Sequence, residues 1–91
     1  MISKKTIIKN KTGLHARPAS GFVQAAAKFA SEITIRRTTG DEDDEANAKS
    51  IIFLLSLGLC QGEEVEIIAK GDDEEVAVQT LTELIDAGFG E

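Results

Sequence analysis

Residues 13–37 read GLHARPASGFVQAAAKFASEITIRR, and the hydrophobic period changes once along them. Ala19, Phe22, Val23, Ala26 and Ala27 recur at spacings of three, four and seven, which place them on one helical face. Pro18 fits the first turn of such a helix, where a missing N–H is no loss. A helix is therefore expected from about Ala16 to Lys28. Ile33 and Ile35 then alternate with Glu32, Thr34 and Arg36, so Glu32–Arg37 reads as a strand with one buried face.

Upstream, Lys4–Lys9 carries Ile7 and Ile8 and reads as a first strand, and Asn10–Gly13 carries turn signals. Downstream, Thr38–Glu45 holds Gly40 and the five consecutive acids Asp41 to Glu45, a charge run that suits a solvated loop. A short, weak strand is expected at Ala46–Ala48. Ser50 is a good N-cap for the apolar run Ile51 to Leu55, and Gly58 stands where a terminator belongs, so Ser50–Leu57 reads as a short helix. Within it, Phe53 and Leu54 are the expected core members. Glu64–Lys70 alternates partly, with Val65 and Ile67 on one side, and reads as a strand. Asp72 is expected to cap the last helix, with Glu75 in the capping-box position. Val76, Ala77, Thr80, Leu81, Leu84 and Ile85 form its expected apolar face, and Gly88 ends it.

The order β-α-β-β-α-β-α predicts an α+β fold, an antiparallel sheet with helices on one face and the other face wet. Thr6, Thr34, Arg36 and Glu66 are expected on the wet face. At 91 residues the default is one domain, residues 1–91, with 42% hydrophobic residues sufficing for a two-layer core but not for a deep substrate cavity. A net charge of -6 argues against nonspecific nucleic-acid binding. No run approaches the roughly 20 apolar residues of a membrane span, and no signal peptide is read, which together predict a soluble cytoplasmic protein. Cys60 stands alone, excluding an internal disulfide and, beside a single histidine, a zinc site; it is expected as a small core residue. No metal or cofactor is implied.

His15, the only histidine, directly follows the turn and precedes the first helix. Amides of a first helical turn have no intrahelical partners and carry the positive end of the helix dipole, a natural phosphate site. Ala16 and Arg17 would supply those amides, and the Arg17 guanidinium adds fixed charge and planar donors. A neutral imidazole there can attack a phosphoryl donor as a nucleophile. A lone His-x-Arg pair is more often two ordinary solvent-facing residues near a cap. A longer match goes further. Gly13-Leu14-His15-Ala16-Arg17-Pro18-Ala19 resembles the active-site signature of the HPr family, the histidine-phosphorylated carriers of the bacterial sugar phosphotransferase system. Lys49-Ser50-Ile51, followed by Ser56-Leu57-Gly58, resembles that family's second signature, around its regulatory serine. Gly62, the strand after it, the terminal helix and the length also fit, so the resemblance spans nearly the whole chain.

The resemblance implies an open-faced β-sandwich of four antiparallel strands and three helices. It implies a monomeric carrier, not an autonomous enzyme, that accepts phosphate from phosphorylated enzyme I on His15 Nδ1, with Arg17 assisting. The acceptors would be the IIA components of sugar permeases. Ser50 would be the target of an ATP-dependent HPr kinase/phosphorylase, and its modification would permit binding to a catabolite-control transcription factor. Ser20 and Gln24 on the first helix, with Ile51, Ile52 and Leu55 on the second, match the docking positions. Two departures bear on partner choice: the acidic run Asp41 to Glu45 looks inserted, and Phe53 stands where relatives often have a small residue. Two rival readings share the fold, a nitrogen-type regulatory paralogue with the same His15 chemistry and a pure regulatory module of the catabolite-repression type. Members of the second type lack the active-site histidine. An unrelated small binding domain of the same topology is a third alternative.

Overall fold

The computed structural model describes residues 1–39 and 44–90. The elements run β1 (Ile2–Ile7), α1 (Ala16–Ala27), β2 (Glu32–Arg37), β3 (Glu45–Asn47), α2 (Ile51–Ser56), β4 (Glu64–Lys70) and α3 (Glu74–Asp86), then a short 3-10 turn at Gly88–Gly90. The strands form one antiparallel sheet in the order β1-β4-β2-β3, and the helices cover one face. Ala46, Ile35 and Ile67 lie in register across three strands and are buried beneath the helices. One residue along, Glu45, Arg36, Glu66 and Lys5 form a row of alternating charge across all four strands on the open face. Arg36 Nε donates to Glu66 Oε1 at 2.7 Å. Opposite charges directly across a ladder favour this register.

β1 begins two residues earlier than expected, and its phase differs. Ile2 and Ile8 set the inward side, so Thr6 faces the helices and Ile7 is exposed. Thr6 does not belong to the wet face, as Thr34, Arg36 and Glu66 do. Its buried hydroxyl is satisfied by donating to Asp86 Oδ1 on α3. The acidic run lies partly outside the described residues, which exclude Asp41, Glu42 and Asp43; Glu45 opens β3.

α1 buries Pro18, Ala19, Phe22 and Ala26. Lys49 Nζ donates to the Phe29 carbonyl just past its C-terminal end at 2.6 Å, a cation where the dipole favours one. In α2 the inward face is the narrow line Ile51, Leu54 and Leu57, three residues apart. Leu54 is fully buried. Phe53, one residue away and so turned by about 100°, is 62% exposed and is not a core residue. α3 buries Ala77, Val78, Leu81, Thr82 and Ile85, whereas Val76 and Thr80 are exposed. The stripes 76/80 and 78/82 are each Val-plus-Thr, so hydrophobicity alone could not choose between them.

The N-cap of α3 is Asp73 rather than Asp72, and it does not use its side chain on the helix. Its carboxylate instead accepts from the Ala30 and Ser31 amides at 2.8 and 3.0 Å and from the Ser31 hydroxyl, tying the α1–β2 connection to α3. Those bonds, the Ser31 hydroxyl first, hold the Asp73 carboxyl below the usual range. Glu74, not Glu75, reaches back, accepting from the Gly71 amide at 3.2 Å. Cys60 is exposed rather than in the core. It lies on the connection between Gly58 and Gly62, both at positive φ, where the chain runs over the surface.

Candidate functional site

The site begins with a turn that admits little variation. Gly13 N–H donates to Asn10 O at 3.1 Å, and Asn10 Nδ2 donates to Gly13 O at 2.7 Å. Gly13 has φ +67, and a Cβ built there would lie 2.4 Å from Leu59 O and 2.9 Å from Cys60 Cα. Only glycine combines that conformation with so close a backbone approach. Leu14 is buried, and its N–H donates to Leu59 O at 2.9 Å. The chain is thus pinned immediately before His15.

His15 is the N-cap of α1, with φ -97 and ψ -165, and its side chain makes no capping hydrogen bond. The residue is exposed, and its carbonyl accepts the first intrahelical bond, from Ala19 N–H at 2.9 Å. Ahead of Ala19 stand Ala16, Arg17 and Pro18. Proline has no N–H, so the terminus offers the amides of Ala16 and Arg17, which have no backbone partner among the described residues. The imidazole therefore sits where the backbone's partial positive charge is greatest and is not consumed by the cap.

Arg17 is exposed and lies at the rim of a shallow cleft with Pro18, Gly21, Leu84, Phe89 and Gly90. Phe89, at φ +57, holds its ring edge-on to Phe22 with centroids 6.4 Å apart. The segment after α3 thereby packs beside the start of α1, a neighbour that reading Gly88 only as a terminator missed.

Of the other residues singled out in the sequence, Ser20 and Gln24 lie one turn apart on α1, Gln24 Nε2 donating to Ser20 Oγ at 3.1 Å. Ser50 is the N-cap of α2, its Oγ 3.5 Å from Phe53 N. Ile51 is half-buried, Ile52 is 72% exposed and Leu55 40%. α1 and α2 pack side by side. Ile52, Leu55 and Phe53 thus leave an apolar surface on α2 beside the helix that His15 caps, while Ile51 also serves the core.

Two further residues bear on the site without any local signal in the sequence. Arg37 Nε donates to Glu63 Oε1 at 2.6 Å, although 26 residues separate them. That hydrogen bond is the main reason the Glu63 carboxyl lies below its usual range, with burial opposing it. Glu63 Oε2 also accepts the Cys60 N–H at 2.6 Å, on the segment that seats Gly13 and Leu14.

A family model described as "PTS HPr component phosphorylation site" matches residues 2–87. The chain belongs to the HPr family. Its four antiparallel strands and three helices are the HPr open-faced sandwich. The chain is 42% identical over 87 residues to the phosphocarrier protein HPr of Borreliella burgdorferi, covering 96% of both. It is also 42% identical over 86 residues to the HPr-like protein Crh of Halalkalibacterium halodurans, covering 94% of this chain and 98% of that one. The crystal structure of HPr-C-His from Thermoanaerobacter tengcongensis superposes with a TM-score of 0.90 at 49% identity, covering 100% of this chain and 98% of that one. Among the described residues, no helix of this HPr-family chain is long and apolar enough to cross a membrane. The chain is an HPr component of the phosphotransferase system.

Proposed function

We propose that this chain carries a phosphoryl group on His15, taking it from phosphorylated enzyme I and passing it to IIA components of sugar permeases. The observation that carries this reading is the exposed His15 at the N-cap of α1, whose side chain makes no capping hydrogen bond, immediately ahead of the Ala16 and Arg17 amides, which have no intrahelical partner. The lone pair on His15 Nδ1 attacks phosphorus, the bond from phosphorus to the donor breaks with its electrons leaving on the donor, and a phosphohistidine forms. The two amides and the Arg17 guanidinium face the added negative charge. An exposed terminus contributes only about 0.3–1 kcal/mol, which steadies the intermediate without trapping it. The reverse displacement, by a nucleophile of the IIA protein, empties the ring. His15 also favours this reading over a pure regulatory module of the catabolite-repression type, which would lack the active-site histidine.

The apolar residues Ile52 and Leu55, with Ile51 behind them and Ser20 and Gln24 on α1, support a docking role for this side of the molecule. Ser50 stands at its margin. A phosphate there adds about -1.5 to -2 charges at a helix N-terminus, where it is tolerated, but beside a surface that a partner must desolvate. Modification of Ser50 by an HPr kinase/phosphorylase would therefore weaken exchange with enzyme I and present a new acidic group to a catabolite-control transcription factor.

The test is incubation with enzyme I and labelled phosphoenolpyruvate. Acid-labile label on the wild-type chain and on Ser50→Ala, and none on His15→Ala, supports the proposal. Label that survives His15→Ala refutes it. A parallel reaction with ATP and the serine kinase should give acid-stable label that Ser50→Ala abolishes.

A further inference from the structure

Arg37 closes β2, and its guanidinium holds separate pieces of chain at once. Nε donates to Glu63 Oε1 at 2.6 Å, Nη2 to Glu63 Oε2 at 3.3 Å, and Nη2 also to the Leu57 carbonyl at 2.7 Å. Nη1 lies 3.5 Å from Asp44 Oδ2. The Leu57 carbonyl is at the C-terminal end of α2, where a cation is favoured. Glu63 then takes the Cys60 amide at 2.6 Å. One guanidinium therefore fastens both ends of the segment from Leu57 to Glu63, and its carboxylate partner fastens the middle.

That segment is the strap on which the His15 turn sits. Leu59 O receives the Leu14 amide at 2.9 Å, and Gly13 approaches Leu59 O and Cys60 Cα too closely to carry a Cβ. Besides Arg37 and Glu63, the strap is held near its C-terminal end, where Gly62 N–H donates to Ile8 O at 2.8 Å, Ile8 N–H to Glu63 O at 3.0 Å and Gln61 Nε2 to Lys9 O at 3.0 Å, whereas the stretch under Gly13 and Leu14 buries few side chains. Gly58 and Gly62 lie at positive φ, Cys60 and Gln61 are exposed, and Leu59 is its only buried side chain. A segment with few buried contacts opens easily unless something pins it.

We propose that the Arg37–Glu63 pair is a positioning device for the phosphoryl site, setting the strap, and through Leu59 and Leu14 the direction in which His15 leaves the turn. The inference rests on the reading of His15 as the phosphoryl carrier. Arg37 and Glu63 act through the backbone before His15 and touch neither the ring nor the phosphoryl group. Misplacing a reacting group by about 1 Å can cost on the order of a hundredfold in rate, so a pin that sets the backbone before His15 matters to the chemistry.

The experiment compares Arg37→Met, Arg37→Lys and Glu63→Gln with the wild-type chain, at a temperature where circular dichroism finds each folded. Glu63→Gln keeps an oxygen for the Cys60 amide and serves if Arg37→Met does not fold. Amide hydrogen exchange at Leu14, the His15 ring-proton signals, and phosphoryl uptake over a range of enzyme I concentrations are measured. Leu14 exchange should speed up about tenfold while Ile67, in the central strand, keeps its protection. The His15 ring signals should shift. The maximal uptake rate should fall about tenfold with the half-saturating enzyme I concentration little changed, and Arg37→Lys should recover part of the rate. Wild-type Leu14 exchange and ring signals in a folded Arg37→Met or Glu63→Gln would overturn the proposal. So would a loss confined to the half-saturating concentration, which would make Arg37 a docking group. If the wild-type chain itself takes up no phosphoryl group, the carrier reading fails, while Leu14 exchange and the ring signals still decide the strap.

Discussion

Gly13→Ala and Gly58→Ala form a matched pair that measures how firmly the turn before His15 is held. Both glycines sit in the left-handed region, at φ +67 and +61, so each alanine pays the same conformational cost of about 1–2 kcal/mol. Beyond that they diverge. A Cβ at Gly58 meets nothing within 4 Å, whereas one at Gly13 lies 2.4 Å from Leu59 O. That is about 1 Å inside ordinary van der Waals contact, and both neighbours are backbone, so the conflict cannot be relieved by turning a side chain. Gly58→Ala should therefore cost about 1–2 kcal/mol and Gly13→Ala at least about 2 kcal/mol more. For a domain of this size the extra cost lowers Tm by about 10 °C. With no tryptophan or tyrosine in the chain, far-ultraviolet circular dichroism is the suitable probe of thermal or urea unfolding. Equal destabilisation by the two substitutions would refute the close approach, and with it the seating of the turn on Leu59 and Cys60.

Leu54→Ala should cost about 2–5 kcal/mol, while Phe53→Ala, on the same short helix but 62% exposed, should stay within about 0.5 kcal/mol; urea midpoints check both. Thr82 Oγ1 is buried with no hydrogen-bond partner among the described residues, so Thr82→Val should raise stability by about 1 kcal/mol, read by the same titration. Glu63 and Glu66 have lowered pKa values in the folded state, through the hydrogen bonds from Arg37 and Arg36 first. The unfolded chain takes up protons sooner on acidification, so their contribution is full above the ordinary carboxylate value of 4.5 and is lost as pH falls through the folded values. Glu63→Gln should flatten that acid limb of stability against pH.

Elements with a clean period were legible in the sequence, and those set by tertiary choice were not. Glu32–Arg37 alternates cleanly and Glu64–Lys70 in part, and the structure keeps both bounds. Ser50 and Gly58 announced a helix by local chemistry that acts within a few residues, and α2 lies between them. Phe53 lies outside the core because a six-residue helix buries a line rather than a broad face, which an apolar run alone does not reveal. The phase of α3 turned on two chemically equal stripes, and only the sheet beneath could select Val78 and Thr82. Asp73 leaves the cap to serve Ala30 and Ser31, 43 and 42 residues away, a contact no window along the chain contains. At the site, the placement of His15 at the start of α1 followed from the turn, the proline and the helical period. The tie from Arg37 through Glu63 to the strap beneath it is made by folding alone.

The carrier reading is tested most directly by nuclear magnetic resonance of the chain after incubation with enzyme I and phosphoenolpyruvate. Phosphorus–nitrogen coupling should locate one phosphoryl group on the Nδ1 atom of His15, and addition of a IIA protein should discharge it. A phosphoryl group bound to oxygen, or a histidine ring unchanged while enzyme I is demonstrably charged, would contradict it.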